Sequence, residues 1–504
     1  MPVMIPNLKQ AHDPVMALAK TYQQAKHPFT LAIIAAVPDQ HWRLQAAGLL
    51  TEATWSVFDA MLDLPQTCDG VPQELATLDV PADALPLVAW PTTNYYVAGV
   101  RTLCVHLHAR GCVWQVEWFT PQGRHVDQYD DRGWHLWTTW YDQADQLVRR
   151  VYYNAQEQVV MTQTPNEVHI AQAAQARFKA QAYPNMAAIV QEYLTRWLNP
   201  ASSMVISADQ VVGKMLAKRL HTVYLVGEAG GWNPDFDDGD AHLVFMTAAD
   251  QVRYLQQWVP LRSSQQLQAQ AQVLLPAAIS LALGTSNEQD HELIVWEVGD
   301  APFEPQALLR QLLVKLASHA SARLCVLAVD QAQANMMQNL INAWALKEAG
   351  LTMTDWPELA AAQAALSHRQ PLRHAKSEDA AHDGQLQAAL LNLQRVDVTE
   401  CSDAALQAAM ATARVYIGTA TKPQLFSQLA AVAAGVPQVV LKANELVSAQ
   451  VNGMICTDPL AIADAAWTYI VDLRRFNQAV VANVALAEHY QAQTLVARWE
   501  AQLS

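Results

Sequence analysis

Two separate series of alternating strands and helices constrain this chain more than any other feature. The first runs through a helix at 187–198, a strand at 204–207, a helix at 210–220, strands at 222–226 and 242–246, and a helix at 248–258. A buried strand at 31–37, with a helix starting after Pro38, supplies its N-terminal part. The second has strands at 293–298, 323–329, 395–398, 415–418 and 438–441, and Ser402 and Asp458-Pro459 are good helix starts within it. Such alternation predicts an α/β fold of parallel sheets with helices on both faces. A polar helix or connector at 265–272 separates the series, and 504 residues allow two or three domains.

Between the first strand and residue 187 the pattern changes. Residues 97–170 show alternating runs broken by turn signals at Pro121-Gln122-Gly123, Asp131-Arg132-Gly133, 142–145 and 154–157, which predicts an antiparallel sheet. Trp114, Val116 and Trp118 share one face of such a strand. Ten aromatics lie between Trp114 and Tyr153, where the chain average of 8% predicts about three. Trp134, Trp137, Trp140 and Tyr141, with Trp232 further on, are candidate glycan or partner contacts. The alternative is that these rings stabilise strands and fill the cover over a sheet.

The segment 422–440 ends a helix and begins a strand. Ala430 to Ala434 continue the helix, Gly435 suits the left-handed residue that ends it, and Pro437 follows before the strand at 438–441. This resembles the nucleotide-sugar site of two-domain (GT-B) glycosyltransferases, and Asn452-Gly453 onward resembles the strand that follows there. The resemblance implies two acidic residues eight positions apart, one near the reacting sugar and one on the ribose; here these positions hold Lys422 and Ala430. Each lost hydrogen bond to a charged group weakens donor binding by roughly 1.5–3 kcal/mol, about tenfold to a hundredfold. The resemblance also implies a glycine-rich turn near the N-terminus and basic residues after the first strand of the second series. The sequence offers Pro6 to His12 without glycine, and Asp300 and Glu304 without a basic neighbour. Lys422, Ala430 and Gly435 therefore mark a degenerate donor site, with no catalytic residue and no cofactor expected.

Other features exclude function classes. A formal charge of −15 opposes nucleic acid and anionic lipid. The six cysteines are scattered, which suits free thiols in a reducing compartment and argues against a zinc site. The sixteen histidines form no metal signature, and the acidic run 235–240 has its glycine out of register for a calcium loop, so no metal is expected. Gly227 to Gly231 lacks the spacing of a dinucleotide fingerprint. The first residues lack a charged region before an apolar core, and the longest apolar stretch, 273–284, is too short to span a bilayer. The expected place is the cytoplasm, peripheral at a membrane only through partners.

Segments 31–62 and 128–158 resemble the first accessory secretory protein of the accessory Sec system. Ser56-Val57-Phe58-Asp59, Asp130-Asp131-Arg132-Gly133 and Tyr152-Tyr153 carry the resemblance. It implies a GT-B-like, non-catalytic protein with two Rossmann-like domains facing a cleft and a β-rich sheet inserted in the first. The implied division is 1–92 and 183–275 for the first domain, 93–182 for the insertion, 276–472 for the second domain, and 473–504 for helices packing back on the body. The implied partners are two companion accessory secretory proteins, the accessory Sec ATPase and a serine-rich-repeat adhesin as cargo. An active glycosyltransferase modifying such an adhesin is the alternative.

Overall fold

The structure is a computed structural model that describes residues 1–9, 13–51, 53–67, 70–198, 204–217, 223–227, 241–258, 271–367 and 380–503. The chain divides into two units. One comprises Met1–Met246, Asp250–Ala277 and Val496–Ser504; the other comprises Thr247–Ala249 and Ala278–Leu495.

The first unit holds two sheets. Strands β1 (Val3–Ile5), β2 (Thr30–Ile33) and β3 (Thr54–Ser56) lie parallel at its start. The chain then leaves to form a ten-stranded antiparallel meander: β4 (Leu85–Ala89), β5 (Thr92–Val97), β6 (Val100–Leu107), β7 (Val113–Thr120), β8 (Gly123–Tyr129), β9 (His135–Asp142), β10 (Leu147–Tyr153), β11 (Val159–Gln163), β12 (Val168–Ile170) and β13 (Ala182–Tyr183). It returns through β14 (Val205–Ser207), β15 (Val223–Gly227), β16 (Ala241–Phe245) and β17 (Ala271–Val273). These complete a parallel sheet in the order β17-β16-β15-β14-β1-β2-β3. Antiparallel pairing begins at Leu85, earlier than the alternation at 97 predicts, because the first strand is apolar throughout and shows no period-2 pattern. Within the expected connector 265–272, the described Ala271 and Gln272 pair with β16 as strand.

The second unit is one parallel sheet of β18 (Glu292–Glu297), β19 (Ala322–Ala328), β20 (Val396–Glu400), β21 (Ala413–Gly418), β22 (Gln438–Val440) and β23 (Gly453–Ile455). Its order, β20-β19-β18-β21-β22-β23, is the doubly wound arrangement in which the chain starts centrally, runs to one edge, then crosses back. Ile294, Trp296 and Val298 are fully buried in one core with helices Pro305–Ala317 and Pro459–Val471. The helix starts at Ser402 and Asp458 are real caps, each side chain accepting from the backbone N–H three residues on. Gly435 ends helix Leu425–Ala433 with φ +74°, and Val436 N–H returns to the Ala431 carbonyl at 2.8 Å. Among the described residues no helix is long and apolar enough to cross a membrane.

Candidate functional site at the strand crossover

In a doubly wound sheet, ligands bind beyond the carboxyl ends of the strands where the order reverses. In the second unit that point lies between β18 and β21. Gly299, with φ +58°, turns the chain after β18, and an added Cβ would come within 2.7 Å of Ala420 on the facing loop. This close approach lets Asp300 accept a hydrogen bond from Thr421 N–H at 2.8 Å and another from the Thr421 hydroxyl. Burial works against the Asp300 charge, but these bonds and the neighbouring Lys422 bring its carboxyl below the usual range.

Lys422 is exposed on the loop that precedes helix Leu425–Ala433, whereas Ala430 is half-buried within that helix. The eight-residue interval is therefore not a pair of helical turns, because Pro423 delays the helix start. Beneath the crossover, Tyr416 is fully buried and donates to Glu297 Oε2 at 2.7 Å. Burial and the adjacent Glu297 carboxylate push its phenol well above the ordinary value. Thr419 accepts from Trp296 Nε1 at 2.9 Å and donates to the Val298 carbonyl at 2.7 Å. Among the described residues, the crossover thus holds a carboxylate occupied by its own facing loop, with the exposed Lys422 side chain near it.

The matching crossover of the first unit lies between β1 and β14. Asp13, only 3% exposed, accepts from Asn7 N–H at 3.0 Å and caps helix Pro14–Gln24 through Met16 N–H at 2.8 Å. Burial raises its pKa to about 6, with Asp209 adding to the rise and the backbone bonds opposing it. Of the segment Pro6 to His12, residues 10–12 lie outside the described ones.

The candidate aromatics do not form one face. Trp137 is 9% exposed and packs in the core beside Tyr152, ring centroids 5.8 Å apart. Trp134 also packs against that core, its backbone N–H held by Asp130 at 2.8 Å. Trp140 and Tyr141 are half-buried neighbours on β9, so they point to opposite sides of the sheet. Trp140 joins a cross-strand row with Trp118, His125 and Arg149, whose guanidinium lies 4.5 Å from its ring. Tyr141 lies under Arg124 at 4.1 Å. Trp134 and Trp137 thus pack with the core, and strand alternation turns Trp140 and Tyr141 to opposite faces. Trp232, like Glu228 to Gly231 and the acidic run 235–240, lies outside the described residues.

The residues that carry the sequence resemblance meet in one buried cluster. Arg132, 4% exposed, binds Asp59 at 2.8 Å and Asp130 at 2.7 Å, and donates to the carbonyls of Pro65 and Thr67. Asp131 accepts from His41 Nδ1 at 2.8 Å and from Trp42 N–H at 2.7 Å. Burial raises Asp130 to about 6 although Arg132 lowers it. Gly133, φ +90°, leaves no room for a side chain against the Val71 carbonyl. The motif Asp130 to Gly133 is visible in the sequence. Its partnership with His41 and Asp59 is not, because only the fold brings segments 31–62 and 128–158 together.

Two parallel doubly wound sheets and an antiparallel meander define the class: an α/β protein with the two-domain glycosyltransferase (GT-B) fold. The chain is similar over 99% of its length to the pneumococcal O-GlcNAc transferase GtfA solved with UDP and GlcNAc, with a TM-score of 0.69, 10% identity and 98% of that chain covered. It is more similar to a subunit in the crystal structure of accessory secretory proteins 1, 2 and 3 of Streptococcus pneumoniae, with a TM-score of 0.76, 18% identity, and 100% and 99% of the two chains covered. A chain of the Glycosylation Associate Protein (Gap123) complex of Streptococcus agalactiae gives 0.75, 15%, and 99% of each. The first accessory Sec system protein of Streptococcus gordonii is 31% identical over 87 residues, a stretch spanning 17% of this chain and 16% of that protein. The family model for this same first accessory Sec system protein matches residues 7–504, and the chain belongs to that family.

Proposed function

We propose that this protein is a non-catalytic component of the accessory Sec export machinery. It assembles with two companion accessory secretory proteins and assists export of a glycosylated serine-rich-repeat adhesin driven by the accessory Sec ATPase. The observation that carries this reading is family membership across residues 7–504. The similar chains solved in complexes of accessory secretory proteins 1, 2 and 3, and in the Gap123 complex, support the companions.

The pseudo-enzyme part rests on the crossover of the second unit. Lys422 and Ala430 stand at the two positions that the transferase resemblance gives to acids, and Asp300 is engaged by Thr421. A glycosyltransferase shell of this kind keeps its fold without the groups that hold a sugar nucleotide.

Size-exclusion chromatography of the chain mixed with its two companions, with and without adhesin, tests the assembly. A co-eluting complex of all three is expected, with adhesin shifting it further. Independent elution at concentrations well above micromolar contradicts the proposal.

A further inference from the structure

On the sheet face that carries Trp137 and Tyr141, β6 and β7 bring together three metal-type donors. Cys104 stands directly opposite Glu117 in the register, and His106 lies two residues along the same strand, on the same face. Cys104 Sγ is 3.6 Å from His106 Nε2, and that nitrogen is 3.8 Å from Glu117 Oε2. All three donor atoms fall within 4.8 Å of one another. The nitrogen–oxygen gap exceeds hydrogen-bond length. Tetrahedral bonds of about 2.0–2.3 Å, by contrast, give ligand–ligand edges of about 3.3–3.7 Å.

The surroundings fit an ion. Arg124 Nη1 lies 3.3 Å from Glu117 Oε1, which holds the carboxylate with its other oxygen toward the cluster. Cys104 is 4% exposed, while the His106 side chain is 35% exposed, so the fourth corner opens to solvent. A second mixed cluster among the described residues, His41 with Asp130 and Asp131, differs: Arg132, Trp42 N–H and Trp134 N–H already occupy its carboxylates.

We propose that Cys104, His106 and Glu117 bind a divalent transition-metal ion of the zinc type, with water in the fourth position. Thiolate, imidazole and carboxylate together suit zinc and not magnesium or calcium, which take oxygen ligands. On binding, the thiol proton passes to solvent and a sulfur–metal bond forms, cross-linking two strands of the meander. The sequence hides the set because Glu117 joins it only through strand register.

The test is titration of the metal-stripped full chain with Co2+. A tetrahedral visible spectrum with a thiolate-to-cobalt charge-transfer band is expected, saturating at one ion per chain and displaced by Zn2+. Cys104→Ser should abolish that band and weaken binding at least about tenfold, whereas Cys112→Ser on the adjoining turn should leave both unchanged. His106→Ala, at the most solvent-exposed donor, should weaken binding similarly and serves if the Cys104 variant does not fold. Absence of the charge-transfer band in the wild type, its survival in Cys104→Ser, or unchanged affinity in His106→Ala overturns the site.

Discussion

Arg132 shows how much a single side chain holds in this protein. Among the described residues its guanidinium is the fixed cation that pairs with Asp59 and Asp130, both nearly fully buried and beside the equally buried Asp131. Removing one partner of a buried ion pair leaves an uncompensated charge, so Arg132→Ala is expected to cost about 3–5 kcal/mol in urea unfolding. An unchanged midpoint would remove the cluster from the account of stability. Asp13 makes a separate, pH-dependent contribution. Its folded pKa of about 6 stands above the ordinary 3.8, so the folded state holds this proton more tightly than the unfolded chain. The associated stability is present below the unfolded pKa and lost as pH rises through about 6. A rise of that size corresponds to roughly 3 kcal/mol. The stability difference between Asp13→Asn and wild type should therefore move in favour of the variant from about pH 4 to about pH 7, measured by denaturation at each pH. A difference constant with pH contradicts the assignment.

Elements place these residues, and their placement separates packing from recognition. Trp137 lies in the core, so Trp137→Ala should destabilise by about 3–5 kcal/mol whatever the protein binds. Trp140→Ala, half-buried beside Arg149, should change stability far less and is the better probe for glycosylated repeat peptide. If the two substitutions cost the same, the facing assigned along β9 is wrong. At the end of helix Leu425–Ala433, Gly435→Ala combines a left-handed backbone with a Cβ 2.9 Å from Leu283 Cδ2. A loss of about 1–3 kcal/mol is expected in thermal unfolding, and a neutral outcome contradicts it. This cap is legible in the sequence, because glycine followed by proline has a local backbone cause. So are most strands of the second unit, whose apolar runs are bounded by helix starts. Strand β4 is not legible, since five consecutive exposed residues carry no alternation. Beside the crossover, the helix stop at Gly435 is legible. The Asp300–Thr421 bridge at the crossover is not, because strand order brings β18 beside β21 from distant parts of the chain. The same reason hides Asp59 and His41 from the Asp130-to-Gly133 motif.

At the scale of the whole molecule, the chain carries a transferase fold within a family of export proteins. We propose that the crossover of the second unit reconciles the two facts. Its backbone retains the turn at Gly299 and the helix stop at Gly435, both of which a doubly wound sheet needs for its own packing. At the two positions that the transferase resemblance gives to acids stand lysine and alanine, and the nearby Asp300 is bound by the opposite loop. A fold keeps its shape on apolar burial, which is indifferent to whether those two positions hold acids. Recognition of a charged donor is not indifferent to it. Isothermal titration calorimetry of the purified chain with UDP-GlcNAc and other common nucleotide sugars addresses this contrast most directly. No saturable heat is expected at millimolar ligand, and no sugar transfer to a serine-rich acceptor. Micromolar binding accompanied by turnover would contradict that expectation.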